Sequence, residues 1–217
     1  MDNNKKAQIL SESLLGQKNE LLFKFLVIGD FGVGKTSIIK RYAEGTFSSV
    51  YKMTIGADFA IKSLMVDENT LVHLQLWDIA GNERFGSLTR VYYKYAVAAA
   101  IVFDLSRPET YHSVKKWLSD LRRKVTLQNE EPLPVVILAN KGDVNYCNIP
   151  NEIVDFCKEQ KILNWFITSA KENTNIEAAF ECLLQAALHN HIGDKSNTND
   201  IISLKKESKK TSEICCV

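Results

Sequence analysis

Phe23-Lys24-Phe25-Leu26-Val27-Ile28-Gly29-Asp30-Phe31-Gly32-Val33-Gly34-Lys35-Thr36 is the stretch that decides the fold. Its first six residues form a short, mostly apolar run that suits a strand buried in a parallel sheet. The last eight, Gly29 to Thr36, match G-x-x-x-x-G-K-[ST], and a helix is predicted from Lys35 to Glu44. Strand, glycine loop and helix in that order make a phosphate cradle. Glycines let backbone N–H groups converge on phosphate oxygens, and the helix N-terminus adds a favourable dipole. Lys35 would reach the β- and γ-phosphates and the Thr36 hydroxyl would bind Mg²⁺. Gly32, Val33, Gly34 and Ser37 complete the candidate phosphate contacts.

Outward from this loop the chain alternates. Two strand-like runs, Asp58 to Val66 and Thr70 to Trp77, are separated by Asp67-Glu68-Asn69 and read as a hairpin. Strands are then predicted at Val97–Asp104, Val135–Ala139 and Asn164–Thr168, with helices between them. Capping boxes are expected at Ser106–Glu109 and Thr174–Glu177. In the last helix Ile176, Ala179, Phe180, Leu183, Leu184 and Ala187 fall on one face. The expected fold is an α/β P-loop NTPase domain over residues 21–190. It has a six-stranded, mostly parallel sheet with one antiparallel edge strand, and helices on both faces. Residues 1–20 and 191–217 are polar and aperiodic, and are expected to be flexible extensions.

Composition fits one domain of ordinary globular type: 217 residues, 45% hydrophobic and 24% charged. A formal net charge of +1 argues against nucleic acid as a partner, which demands a basic patch. The longest apolar run, Tyr95 to Phe103, is nine residues, whereas a membrane span needs ~20. The N-terminus has no apolar signal core, and Asp2 excludes N-myristoylation. Five cysteines without zinc-ligand spacing suggest reduced thiols in the cytosol, with Cys147, Cys157 and Cys182 as small core residues.

The base is chosen by a second motif. Asn140-Lys141-Gly142-Asp143 follows a strand directly, at the carboxyl edge where open α/β sheets bind ligands. An aspartate there accepts from N1–H and the 2-amino group of guanine, donors that adenine lacks. Ser169-Ala170-Lys171, after the last strand, offers a backbone N–H to the guanine O6. A third motif, Trp77-Asp78-Ile79-Ala80-Gly81, places Asp78 behind the metal and the Gly81 N–H near the γ-phosphate. Thr54 lies on the intervening loop and could close on the metal only when that phosphate is present.

With these motifs the chain resembles the Rab family of Ras-like small GTPases, over residues 21–190 and the last three. Ile55-Gly56-Ala57-Asp58-Phe59, Glu83-Arg84-Phe85 and Tyr92-Tyr93 extend the likeness. The resemblance implies a GTP/GDP switch that hydrolyses GTP, with Lys35, Gly81 and residue 82 as the catalytic set. It implies Phe47 packing under the base, Tyr51 among the nucleotide contacts, and Ile55, Phe59, Trp77 and Tyr92 read by effectors. It also implies an exchange factor, a GTPase-activating protein, a GDP-dissociation inhibitor and an escort protein as partners of a monomer. Ile79, where most Rabs carry threonine, points to the subgroup serving lysosome-related organelles and maturing phagosomes. The expected location is the cytoplasmic face of an intracellular membrane, cycling with the cytosol.

Two residues depart from the family pattern. Asn82 stands where glutamine usually orients the attacking water, one methylene shorter. Misplacement of ~1 Å in such a step can cost ~100-fold, so slow intrinsic hydrolysis is expected. The family's activating proteins supply a glutamine in trans, which would offset this. Phe31 would crowd the space beside the γ-phosphate through which an activator's arginine enters. The chain ends Ile214-Cys215-Cys216-Val217, which is not a CaaX box. Paired cysteines in Rab tails are doubly geranylgeranylated, and two lipids satisfy the requirement for stable anchoring. The lysines before them add only a weak charge. Two rivals stand beside this reading: a GTP-binding scaffold with negligible hydrolysis, and an adenine nucleotide or nucleoside kinase. A kinase needs an arginine-bearing lid, for which the sequence has no insertion.

Overall fold

The computed structural model describes residues 19–81, 89–125, 127, 131–144 and 149–197. Six strands and six helices alternate: β1 (Asn19–Gly29), α1 (Lys35–Glu44), β2 (Ala57–Met65), β3 (Thr70–Ile79), α2 (Thr89–Tyr93), β4 (Ala96–Asp104), α3 (Glu109–His112), α4 (Val114–Lys124), β5 (Val135–Asn140), α5 (Ile153–Glu159), β6 (Asn164–Ile167) and α6 (Ile176–Asn197). They form one sheet in the order β2-β3-β1-β4-β5-β6. Every pairing is parallel except β2 with β3, so the expected antiparallel edge strand is β2.

Period-two alternation in β1 explains why helices cover both faces. Phe25 and Val27 point into one apolar layer with Leu74, Leu76, Leu138 and the buried face of α6. Leu26 and Ile28 point into the other, with Ile101, Phe103, Trp117 and Leu121. All six apolar positions read from α6 are buried. Cys157 is a buried core residue and Cys182 packs half-buried against the core, while Cys147 lies outside the described residues. Among the described residues no helix is long and apolar enough to cross a membrane.

Two local expectations are corrected. The capping box at Ser106–Glu109 does not form. The Ser106 hydroxyl and N–H both donate to Asp104 Oδ1, at 2.6 and 2.9 Å, and Pro108 opens α3 without a side-chain cap. A buried carboxylate at the strand end competes better for that hydroxyl than a helix terminus does. Thr174 is not a cap either: α6 begins at Ile176, which leaves Asn175 at the cap position, and the Thr174 backbone exchanges 3.0 and 3.2 Å bonds with Ser169. Asn175, at φ 53°, turns the chain into α6 and donates its amide to the Ile167 carbonyl.

The carboxyl ends of β1, β4 and β5, with the residues after β6, bring Gly29, Asp104, Asn140 and Thr168 to one edge of the sheet. Loops leaving that edge build the site.

Candidate nucleotide-binding site

One cleft of about 300 Å³ runs along this edge. It is lined from Gly32, Gly34, Lys35, Thr36 and Ser37 through Tyr51, Thr54 and Gly81 to Phe47, Asn140, Lys141, Asp143, Ala170 and Lys171. Residues predicted from three separate motifs therefore share one wall. Val33 is buried behind the loop, and its carbonyl rather than its side chain serves the site, as described below.

At the phosphate end, Lys35 is buried and donates to the carbonyls of Gly29 and Asp30, both at 2.9 Å. Burial pushes its pKa down to about 8 and Arg107 adds to the effect, while Asp78 and Asp30 oppose it. An ammonium held this way is poised to gain an anionic partner. Thr36 donates to Asp78 Oδ2, Thr54 donates to the same oxygen at 3.0 Å, and the two hydroxyls lie 2.9 Å apart. Asp78 Oδ1 is buried with no hydrogen-bond partner among the described residues. Two hydroxyls and a carboxylate with an unpartnered oxygen are a donor set suited to a hard cation such as Mg²⁺. Gly81 packs directly on this loop, since a Cβ there would stand 2.3 Å from the Phe31 nitrogen. Asn82 lies outside the described residues.

The base end is assembled from distant residues. Asn140 donates its amide to the Val33 carbonyl at 2.8 Å and accepts from the Thr168 hydroxyl at 3.3 Å. It joins the end of β5 to the Gly29–Thr36 loop. Gly34 (φ 99°) makes this possible, because a Cβ would stand 2.3 Å from the Asn140 amide nitrogen. Ser169 donates to Asp143 Oδ1 at 2.6 Å, which fixes the carboxylate. Lys141, at φ 65°, bonds Asp104 at 2.7 Å. Phe47 lines the cleft with its ring partly exposed.

Several supporting residues were not foreseen. Asp104 is inaccessible to solvent and accepts from Lys141, Ser106 and Arg107. Burial would raise its carboxyl pKa, but those donors outweigh it and hold the group below its ordinary 3.8. Arg107 also donates to the Phe31 carbonyl at 2.8 Å, and the Trp117 indole donates to Asp30 Oδ1 at 2.7 Å. In the sequence, Ser106-Arg107 read only as a helix start, and nothing singled out Trp117.

Relatives agree with the geometry. The chain is 54% identical to human Ras-related protein Rab-32 over 191 residues, covering 87% of this chain and 85% of the relative. It is 50% identical to Rab-32B of Dictyostelium discoideum (90% and 77% covered), and 44% identical to human Rab-7L1 (90% and 97%). Residues 24–189 match the Ras family. The chain belongs to the Ras family, on its Rab branch. As a Rab small GTPase it binds GTP and GDP, hydrolyses GTP and regulates membrane trafficking through regulators and effectors.

The residues implied as effector contacts in this Rab lie on and beside β2 and β3. Ile55 and Phe59 are exposed, and Phe59 stacks on Trp77 with centroids 5.7 Å apart at 22°. The Lys24 ammonium covers the Trp77 ring at 3.7 Å. Tyr92 is half-buried, and its hydroxyl reaches over Gly56 at the foot of β2. Cys215 and Cys216 lie outside the described residues.

Proposed function

We propose that this Rab is a slow-hydrolysing, Mg²⁺-dependent switch whose GTP state recruits effectors through Ile55, Phe59, Trp77 and Tyr92. The Asp78 carboxylate, whose Oδ2 takes the Thr36 and Thr54 hydroxyls while its Oδ1 has no hydrogen-bond partner among the described residues, is the observation that carries this reading. Thr36 and Thr54 would ligate the ion with Asp78 behind them, and the bound ion would neutralise charge on the phosphate oxygens. Lys35 and the Gly32–Ser37 and Gly81 N–H groups would stabilise the remaining charge, and Asn82 would hold the attacking water. At the other end Asp143 would accept from the guanine N1–H and 2-amino group, while Ala170 and Lys171 meet O6 and Phe47 packs under the ring. Because Thr54 belongs both to the metal set and to the segment leading to Ile55, loss of the γ-phosphate would release that segment.

Two features support slow turnover. Asn82 is shorter than the glutamine it replaces. Phe31 is exposed on the phosphate loop and meets Tyr51 edge-on, with centroids 5.4 Å apart at 72°, across the path an activator's arginine would take. The same pair favours the second reading, a GTP-binding scaffold with negligible hydrolysis. Single-turnover hydrolysis of wild type beside Asn82→Gln separates them. We expect the glutamine variant to be about tenfold faster or more. Equal, measurable rates would end the slow-hydrolysis reading, and no turnover in either, with an activating protein present, would favour the scaffold.

The proposed cycle uses an exchange factor, an activating protein, a GDP-dissociation inhibitor and an escort protein. Geranylgeranyl groups on Cys215 and Cys216 would anchor the monomer to the cytoplasmic face of a lysosome-related, endosomal or phagosomal membrane. The small GTPase domain would span 19–197, a little beyond the 21–190 read from the sequence, because β1 begins at Asn19 and the last helix runs on to Asn197. Localising a tagged chain beside a Cys215→Ser/Cys216→Ser version tests the anchor, and an unchanged membrane pattern would refute it.

A further inference from the structure

Arg41 sits in the last turn of α1, a position that looks like ordinary polar helix surface in the sequence. Its guanidinium instead makes three bonds to backbone carbonyls. Nε donates to Ala170 at 2.8 Å, one terminal nitrogen donates to Lys171 at 3.0 Å, and the other donates to Gly45 at 2.7 Å. The guanidinium carbon lies 6.0 Å from the Phe47 ring centroid. One side chain therefore touches both flanks of the base end: the Ser169–Lys171 loop and the segment that leads from α1 to Phe47.

The neighbouring peptide groups show what this contact leaves over. In the same loop the Ser169 N–H bonds the Thr174 carbonyl, and the Glu172 N–H bonds Ser169 Oγ. The Ala170 and Lys171 N–H groups have no such bond among the described residues, and both residues line the cleft. A peptide plane held at its carbonyl is held at its N–H, because the unit is planar and trans. Fixing the Ala170 carbonyl therefore aims the Lys171 N–H, and the rigid fork of the guanidinium suits two carbonyls better than a point charge does.

We propose that Arg41 is a positioning residue for guanine recognition, holding the Ala170–Lys171 turn so that its spare N–H groups face the base oxygen. Through Gly45 it makes this hold depend on the start of the segment that carries Phe47, so disturbing that segment loosens the grip on the base. The proposal rests on the reading above that guanine lies between Asp143 and Ala170.

The test measures dissociation of GDP and of IDP from the full chain in wild type, Arg41→Lys and Arg41→Gln. Thermal unfolding and single-turnover GTP hydrolysis accompany it. IDP keeps the base oxygen and N1–H but lacks the 2-amino group that Asp143 reads. Both variants are expected to release GDP and IDP about tenfold faster, leaving the preference for GDP over IDP and the hydrolysis rate unchanged. Arg41→Lys, which keeps the charge and the stem, guards against a simple failure to fold. Lys62→Gln, which cuts the neighbouring link to Glu177 at 3.2 Å, is expected to change neither dissociation rate. GDP release within twofold of wild type in both Arg41 variants would overturn the proposal. So would a changed GDP-to-IDP preference, or an equal acceleration in Lys62→Gln. If wild type itself does not prefer GDP over ADP, the underlying reading of the base site fails instead.

Discussion

The two ends of the cleft are built differently. The phosphate end is local: eight consecutive residues, Gly29 to Thr36, supply the loop, the lysine and one hydroxyl, with Thr54 added from the loop before β2 and Asp78 from the end of β3. The base end is long-range. Asn140 reaches Val33, Arg41 reaches Ala170 and Lys171, and Ser169 reaches Asp143. Local backbone geometry suits the phosphate, whose charge attracts any convergent set of N–H groups. Discriminating one purine from another requires fixed side chains, and fixing them takes bonds between separate elements.

The comparison predicts unequal responses to substitution. Removing the ammonium at the phosphate end, Lys35→Ala, is expected to weaken GDP binding about a thousandfold or more, read by equilibrium titration. A loss under tenfold would mean that the backbone cradle alone holds the phosphate. At the junction of the two ends, Asn140→Ala leaves the buried Val33 carbonyl and Thr168 hydroxyl without partners. It should cost about 2–3 kcal/mol of stability in denaturant unfolding, besides weakening nucleotide binding. If only binding suffers, the strut is less structural than its contacts imply.

Asp104 offers a pH test behind the base end. Its pKa lies below the ordinary 3.8 in the folded chain, so it stabilises the fold above that pH. That contribution disappears as pH falls through the folded value. Asp104→Asn should therefore be less stable than wild type by about 2 kcal/mol at pH 7, with the gap closing below pH 3.8. A gap independent of pH would assign the loss to packing. The smallest effect belongs to the aromatic contact across the phosphate mouth. Phe31→Ala removes the edge-on contact with Tyr51 and should speed GDP release by about two- to tenfold, leaving the GDP-to-IDP preference alone.

The same asymmetry governs what could be read from the sequence. Lys35, Thr36 and the Gly29–Thr36 loop were legible because their chemistry depends on fixed spacing along the chain. The one antiparallel edge followed from the hairpin pattern and the parallel remainder from the alternation of elements, while the order β2-β3-β1-β4-β5-β6 is a tertiary fact that no local pattern carries. Asn140 and Asp143 were legible as a motif, but the role of Asn140 as a tie to Val33 was not, since nothing in the sequence sets residues 107 positions apart side by side. Arg41 and Arg107 were missed for a related reason. A lone arginine on a helix face or at a helix start is usually solvated, and only the fold brings carbonyls to it. The failed capping boxes at Ser106 and Thr174 show local preference losing to a tertiary partner, in one case a buried carboxylate and in the other a backbone bridge.

The bond from the Trp117 indole to Asp30 has an optical consequence. Of the three tryptophans, Trp117 is fully buried and its N–H rests on a carboxylate in the phosphate loop. Indole emission responds to charge along the ring, and filling the loop with phosphate changes that field. Nucleotide loading should therefore register as a change in the fluorescence of a native residue, so the switch can be followed in real time without a dye.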